Sequence, residues 1–334
     1  MKKLLAAALL LGGSTAFGQG ADSYRILKTF PVAGEGRWDY LAVSPVNDYL
    51  YVSHGTQVNV IDKLSGAAVA VIPNTTGVHG IAFAPGVQKG FISNGKLNTV
   101  TVFDINTNEV KGEIKTGDNP DAIMYDEYSK KVFVCNGKSK DLTVIDPTNN
   151  MVVTTIALGG KPETAVSDDN GNIYINIEDR NEIVRLNTNK LTVTARWPLG
   201  KGATGPSGLA MDKITKRLYA GCDNILVVMN AENGKVVATV PIGDGCDGVE
   251  FDASERIVFS SNGDGTLDII KELTPDKYKS LQKLTTQKGA RTMTLDKEAH
   301  VVYLSTADLA PAEVGTGRPN AKPGTFRVLE IGRQ

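Results

Sequence analysis

The sequence predicts an all-β protein, a seven-bladed β-propeller with four-stranded antiparallel blades. Residues 118–160 contain four short runs of apolar and β-branched residues, each closed by Asn, Asp or Gly turns. The runs are Ala122–Tyr125, Val132–Cys135, Leu142–Ile145 and Val152–Ile156. Seven copies of this pattern are spaced 40 to 44 residues apart. Four strands in each repeat of about 40 residues are typical of a propeller blade.

The seven copies align at three separate places, which makes a chance match implausible. Their second strands read YLYVSHG, KGFISNG, KVFVCNG, NIYINIE, RLYAGCD, IVFSSNG and VVYLSTA. Their third strands read VNVID, VTVFD, LTVID, IVRLN, LVVMN, LDII and FRVLE. The turn after each first strand carries Pro45, Pro85, Asp126, Asp168, Asp212, Asp252 or Asp296.

The last copy ends without a fourth strand, and an unmatched strand precedes the first copy. The unmatched segment is Tyr24–Val32, YRILKTFPV. Pairing the two ends of the chain in one blade removes an exposed sheet edge and locks the ring. We therefore predict that Tyr24–Val32 is the outer strand of blade seven.

The N-terminal residues 1–18 read as a signal peptide. Lys2 and Lys3 precede the apolar run Leu4–Leu11, and Ala16 and Gly18 suit a cleavage site before Gln19. The alternative is an uncleaved anchor, but the apolar run is too short to cross a bilayer. We expect residues 19–334 to form one propeller domain in the periplasm or outside the cell, a monomer with no transmembrane segment after signal removal.

Charge argues against a nucleic-acid partner. The 36 Lys and Arg residues nearly balance the 37 Asp and Glu residues, giving a net charge of −1. Nucleic-acid-binding domains usually present a basic patch or stripe. We expect the partner to be an envelope protein, a peptide or a small molecule.

Two sets of loops share one rim of a propeller, which we call the front rim. They join strand two to strand three within a blade, and strand four to the next blade. One residue of the second set lies nearest the channel in each blade. These residues, the mouth ring, are Asp39 (or its neighbour Tyr40), His79, Asp121, Glu163, Ser207, Asp247 and Arg291.

Loops aimed at one point by a rigid scaffold often carry function, so we predict a ligand site at the channel mouth. Its predicted residues are Trp38, Asp39, His54, His79, Asn94, Asp121, Asn136, Glu163, Asp247 and Arg291. The alternative for each Asp or Asn is a turn-forming hydrogen bond.

Two histidines and an acid on neighbouring blades suggest a divalent metal ion, although no cofactor is certain. His54, His79 and Asp39 are ligand types of zinc and copper sites. The alternative is a polar pocket in which the histidines only form hydrogen bonds.

Cys222 and Cys246 occupy the repeat positions of His54 and His79, but in blades five and six. In an oxidising compartment they could form a disulfide, or remain two unpaired thiols.

The segment 307–324, DLAPAEVGTGRPNAKPG and its flanks, is an unusually long turn on the front rim. Such a loop is functional or disordered, and we predict a lid over the channel.

The set of strand and loop motifs resembles the exported YVTN-repeat β-propellers, the YncE-like proteins. The third strands VNVID, VTVFD and LTVID carry the resemblance, with the fourth strands VVTTIALGG and VVATVPIGDG and the loops NPDAI, GGKPE and GARTMTLD. The resemblance covers nearly all of the chain after residue 18 and implies a seven-bladed ring, export and no established catalytic machinery. Some relatives bind DNA, but this rim lacks the basic groove and aromatic platforms that single-strand binding requires.

These observations lead us to expect an exported, non-catalytic binding or scaffold protein that engages its ligand at the channel mouth. The alternative is a metal-dependent hydrolase or lyase in the same pocket. A bound ion would then polarise a carbonyl or activate water, with a rim carboxylate as base.

Overall fold

Seven four-stranded antiparallel sheets surround a central channel, as the sequence predicts. The computed structural model describes residues 23–311 and 320–333. The predicted signal peptide, residues 1–18, lies outside them. Within the described ranges, no helix is long and apolar enough to cross a membrane.

The blades follow one another in chain order. Blade one comprises β2 (Trp38–Val43), β3 (Tyr49–His54), β4 (Gln57–Asp62) and β5 (Ala68–Ile72). Blade two comprises β6 (Val78–Ala84), β7 (Lys89–Asn94), β8 (Thr99–Asp104) and β9 (Val110–Lys115). Blade three comprises β10 (Pro120–Asp126), β11 (Lys131–Asn136), β12 (Asp141–Asp146) and β13 (Met151–Ala157). Blade four comprises β14 (Pro162–Ser167), β15 (Asn172–Ile177), β16 (Glu182–Asn187) and β17 (Thr192–Pro198).

The remaining blades keep the same order from the channel outward. Blade five comprises β18 (Leu209–Asp212), β19 (Arg217–Gly221), β20 (Ile225–Asn230) and β21 (Val236–Pro241). Blade six comprises β22 (Cys246–Asp252), β23 (Ile257–Asn262), β24 (Thr266–Thr274) and β25 (Lys277–Thr285). Blade seven comprises β26 (Met293–Asp296), β27 (Val301–Thr306), β28 (Arg327–Gly332) and β1 (Arg25–Pro31). Short 3₁₀ turns occur at Pro85–Val87 and Glu178–Arg180.

The ring closes as predicted, with β1 as the outer strand of blade seven. It pairs antiparallel with β28, Phe30 opposite Val328. A buried ion pair also joins blades seven and one, with Nζ of Lys63 2.6 Å from Oδ2 of Asp296. The covalent break of the ring therefore lies within blade seven, where β1 pairs with β28, and the ion pair adds a contact between blades seven and one.

The hydrophobic core is divided among the seven junctions between blades. One cluster of buried residues lies at each junction, including that between blades seven and one. Successive residues of a strand point to opposite faces of its sheet. The second and third strands of each blade therefore pack against both neighbours, and they read as almost continuous apolar runs.

The flanks of the long turn in blade seven approach each other. Leu309 bridges to Ala321, and the backbone N–H of Lys322 donates a 2.8 Å hydrogen bond to the carbonyl of Asp308. Residues 312–319 lie outside the described ranges. The lid over the channel therefore stays a prediction.

Candidate ligand site at the channel mouth

The structure places the mouth ring at the end of the channel and links its side chains to one another. Five of its members lie at irregularities of a first strand. The register between strands one and two shifts after Trp38, Val78, Pro120, Pro162 and Cys246. A bulge re-aims the extra residue. It therefore gives Asp39, His79, Asp121, Glu163 and Asp247 a direction that a regular strand would not.

A small polar residue near the end of a second strand holds the backbone of several mouth-ring residues in the next blade. Ser93 donates a 2.5 Å hydrogen bond to the carbonyl of Asp121 in the next blade. Ser305 reaches the carbonyl of Asp39 at 3.2 Å, and Asn176 reaches that of Ser207 at 3.0 Å. Sequence reasoning overlooked this set. The sequence pattern that marks these residues is a polar side chain at the same position of second strands that are otherwise apolar.

His79 links the first three blades in the mouth ring. Its Nδ1 lies 2.5 Å from Oδ2 of Asp39 and 3.5 Å from Oδ1 of Asp121. Burial alone would lower the pKa of His79, but the hydrogen bond to Asp39 and the charges of Asp121 and Asp39 raise it to about 9. The imidazole is therefore a cation between two acids at neutral pH.

Arg291 forms the equivalent link on the other side of the ring. Its Nε donates a 2.5 Å hydrogen bond to Oδ2 of Asp247, and its Nη2 lies 3.7 Å from Oδ1 of Asp39. The hydroxyl of Ser207 donates to the other oxygen of Asp247 at 2.5 Å. Blades five, six, seven, one, two and three are thus joined by contacts between opposite charges or hydrogen-bonding groups.

Glu163 in blade four interrupts this series. Its carboxylate contacts Lys161, with Nζ 2.6 Å from Oε1, and the same ammonium also binds Glu178. Burial, followed by the charge of Asp121, raises the pKa of Glu163 to about 9. Burial also raises the pKa of Asp121 to about 6, although His79 opposes the change. Asp121 and Glu163 are therefore two neighbouring acids at the mouth, with His79 and Lys161 as their nearest cations.

Tyr40 spans the channel just beneath the mouth ring. It belongs to blade one but packs against the hydrophobic cluster of blades three and four. Burial and the charges of Asp121 and Glu163 raise its pKa well above the usual value. A cavity of about 340 Å³ continues along the channel and is lined by Tyr40, by apolar first-strand residues and by charged ones. The charged residues are Asp169, Lys213, Asp247, Glu250 and Lys297. Sequence analysis gave Tyr40 only as the alternative to Asp39, whereas both residues reach the site.

His54 does not join His79, which corrects the predicted metal set. Its side chain is buried, and its ring stacks on Phe326 with centroids 3.9 Å apart. Burial lowers its pKa against the effect of the nearby Ala33 and Gly36 carbonyls. The backbone at Gly34 covers Nδ1 so closely that an added Cβ would lie 2.8 Å from it. The enclosed imidazole is a packing residue of the junction between blades seven and one.

A different triad is suited to hold a cation. Asp39, His79 and Asp121 each offer one ligand atom, and these atoms lie within 4.8 Å of one another. One imidazole and two carboxylates match the ligands of zinc or manganese. Binding would require Nδ1 of His79 to exchange its proton and its Asp39 hydrogen bond for the ion.

Trp38, Asn94 and Asn136, which were predicted to bind the ligand, make contacts within the fold. The indole N–H of Trp38 donates to the carbonyl of Gly289 at 3.3 Å, which joins blades one and seven. Asn94 donates to Thr101 at 2.8 Å, and Asn136 donates to Asp141 at 2.7 Å. Both asparagines are fully buried and fix the turn that leads to strand three.

Of the two alternatives for Cys222 and Cys246, the structure has the unpaired thiols, and Cys135 is free and buried as they are. Sγ of Cys222 lies 3.9 Å from the carbonyl of Ala220 in its own blade. Sγ of Cys246 lies 3.2 Å from the hydroxyl of Ser260 and packs against Gly221. The two sulfur atoms therefore have separate partners.

Comparison with known proteins adds support for the fold alone. The chain matches no protein-family model and no curated protein sequence. It is similar to the solved structure of the RRP9 WD40 repeats, with a TM-score of 0.76 and 8% sequence identity. The alignment covers 94% of this chain and 98% of that one. Because 1726 solved chains match, the architecture is too widespread to indicate a ligand.

Proposed function

We propose that this protein is an exported, non-catalytic binding protein whose ligand site is the mouth ring and the cavity beneath it. β-Propellers commonly serve as platforms for binding. The observation that carries the proposal is the convergence of an ionisable side chain from six of the seven blades, Ser207 being the exception. Export rests on the predicted signal peptide, and membership of the YVTN-repeat propellers remains part of the proposal.

The cavity has the character of a small-ligand site. Its volume of about 340 Å³ falls within the usual range of roughly 300–1,000 Å³ for such pockets. Apolar walls formed by residues such as Met124, Val249 and Phe251 would hold the body of a ligand. The charged ring at one end would fix its orientation. This combination favours a small molecule or one side chain of a peptide.

A thermal-shift screen with grouped amines, carboxylates, sugars and short peptides tests the site. We expect at least one group to raise the melting temperature of the wild-type protein and to have less effect on Asp121→Asn. Glu127→Gln is the matched control because Glu127 is an exposed acid of the same blade, near the hairpin away from the ring. Equal shifts in both variants would place the ligand elsewhere.

A metal-dependent hydrolase or lyase is the second candidate, favoured by the triad of Asp39, His79 and Asp121. A divalent ion held there would supply Lewis-acid chemistry, and the raised pKa of Glu163 suits a proton donor nearby. Elemental analysis of protein that has never met a chelator tests this function. His79→Ala should lose the ion and His54→Ala should keep it. No metal in the wild-type protein, with no change in melting on adding zinc or manganese, would remove this candidate.

A further inference from the structure

Arg185 breaks the repeat at a position that is apolar in most blades. It lies in the third strand of blade four, opposite the aromatic residue Tyr174 of the second strand. The remaining polar exception is Glu330 in blade seven, which pairs with Lys28 of the closing strand. The other five blades place a fully buried aliphatic residue there, namely Val60, Val102, Val144, Val228 and Ile269. The fold therefore does not require a cation at this position.

A pocket of about 330 Å³ opens beside Arg185, between blades four and five and on the rim opposite the mouth ring. Its walls come from the hairpins between strands one and two of both blades, and from the turn after the third strand of blade five. The volume lies within the range of roughly 300–1,000 Å³ that is usual for small-ligand sites. The departure from the repeat therefore coincides with a cavity large enough for a small molecule.

The guanidinium of Arg185 is held in place but has no acidic partner. Its Nε donates a 3.0 Å hydrogen bond to the hydroxyl of Thr194, and its Cζ lies 5.3 Å from the centre of the Trp197 ring. Among the described residues, none forms an ion pair with it and none accepts a hydrogen bond from its Nη groups. Because Nε and the ring fix the plane of the guanidinium, the two Nη groups can donate to an oxyanion without further ordering.

The other charged groups of the pocket already have partners. Lys213 pairs with Asp169, and Nζ of Lys216 lies 2.8 Å from Oε1 of Glu232. Asp168 accepts three hydrogen bonds within its own turn. The guanidinium is therefore the charged group, among the described lining residues, that lacks both an ion pair and most of its hydrogen bonds.

We propose that this pocket binds the carboxylate or phosphate group of a small polar molecule, with Arg185 as the residue that recognises it. A planar guanidinium with parallel N–H donors matches two oxygens of either group. Lys213 and Lys216 at the pocket add attraction for an anion, and the amides of Asn170 and Asn172 suit hydroxyl groups on the rest of the molecule. The pocket is separate from the mouth ring, so the inference goes beyond the proposed function.

Isothermal titration at pH 7.5 with three hexose probes tests the ligand class. Glucose 6-phosphate, glucuronate and glucose share one ring and differ at carbon six. We expect at least one charged sugar to bind, and glucose to bind at least about tenfold more weakly, because it lacks the charge-assisted hydrogen bonds. Preference for the phosphate or for the carboxylate identifies the oxyanion. Equal affinity for all three probes, or no binding of either charged one, would overturn the proposal.

Arg185→Val tests the residue, because valine occupies the equivalent position in four other blades and the variant should therefore fold. We expect it to weaken binding of the charged sugar at least about tenfold, with a melting temperature that is unchanged or higher. Arg180→Val is the matched control, since it removes an exposed arginine of the same blade from the front rim and should keep the wild-type affinity.

Two further variants complete the test. Arg185→Lys keeps the charge without the planar fork and should bind with intermediate affinity, and it decides the matter if Arg185→Val folds poorly. Asp121→Asn alters the mouth ring and should leave the affinity unchanged. Unaltered binding in the Arg185 variants, or a loss in Asp121→Asn, would place the charged sugar elsewhere and overturn this site without bearing on the proposed function of the mouth.

Discussion

The hydroxyl of Ser93 in blade two donates a 2.5 Å hydrogen bond to the backbone carbonyl of Asp121 in blade three. Oγ of Ser93 also accepts a 2.8 Å hydrogen bond from the backbone N–H of Gly80, which belongs to blade two as well. One side chain therefore joins two innermost strands at their bulges. Equivalent bonds reach Asp39, Ser207 and Arg291, so four of the seven blades set the position of the next blade's contribution to the site.

Ser93→Ala should destabilise the protein by about 1–3 kcal/mol, because a buried N–H and a buried carbonyl lose their partner. Ser93 is fully buried. Urea unfolding at pH 7 would measure the change. The control is Ser65→Ala, which removes an exposed hydroxyl from a turn and should cost less than about 0.5 kcal/mol. Similar losses in the two variants would show that the link between blades contributes little.

The blade architecture could be predicted because it depends on local patterns. Each blade repeats the same alternation of apolar strands and turns. One unmatched strand at the N-terminal end and one missing strand in the last blade permit only one closed ring. The placement of the mouth ring followed from the same alignment. Its members occupy equivalent positions, so a correct register for one blade fixes the others.

The roles of individual polar residues could not be predicted in this way. His54 and His79 lie on the same rim. Phe326, which is distant in sequence, stacks on His54 and covers it, whereas His79 remains at the channel. Asn94 and Asn136 end their strands as a ligand-binding residue would, and only their contacts with strand three show the turn-forming role. The roles of these residues depend on packing between segments that are distant in sequence. A repeat pattern carries no information about that packing.

Lys63→Met should destabilise the ring by about 3–5 kcal/mol, because Asp296 would remain buried and unpaired. The side chain of Asp296 is only 3% exposed and that of Lys63 10%. Chemical unfolding at pH 7 would measure the loss. Replacing both residues, as Lys63→Met with Asp296→Leu, should recover much of it. Lys111→Met is the control, since its pair with Glu109 is exposed, and it should leave the stability almost unchanged.

Stability should fall as pH rises from about 6.5 to about 9, and His79 should be one cause. The folded pKa of His79 is about 9, above the unfolded value of 6.5, so the folded state binds more protons in this window. The stabilisation is complete below pH 6.5 and is lost as pH passes 9, a change of roughly 1–3 kcal/mol. Urea unfolding across this range should show a smaller decline in His79→Asn.

His54 gives a matched comparison of opposite sign. Its folded pKa is lowered by burial, so the unfolded state binds more protons below pH 6.5 and stability should rise with pH up to that value. His54→Asn should flatten this acid limb and leave the alkaline decline unchanged. If His54→Asn and His79→Asn changed the same limb of the stability–pH curve, the pKa values of the two histidines would not be shifted in opposite directions.

The three thiols should be silent in the native protein and all present after unfolding. Burial raises the pKa of Cys222 to about 12 and that of Cys246 further, so little thiolate forms at pH 8. A thiol reagent should therefore label the protein slowly without denaturant and label three sites in 6 M guanidinium chloride. Only one reactive thiol after unfolding of non-reduced protein would show that a disulfide forms after all.

Phe30→Ala should open the ring at its closure. Phe30 is buried in β1 against Leu50 of blade one and Tyr303 of blade seven, and it rests on Gly66. Truncating such a side chain costs about 3–5 kcal/mol, because it leaves a cavity under β1, the strand that closes the ring by pairing with β28. Ile26→Ala in the same strand is the control, since Ile26 is 40% exposed and should cost less than about 1 kcal/mol. Hydrogen exchange should then show faster exchange of the β1 and β28 amides in Phe30→Ala alone. Uniform acceleration over all seven blades would mean that the ring unfolds as one unit and that its closure is no weaker than the other junctions.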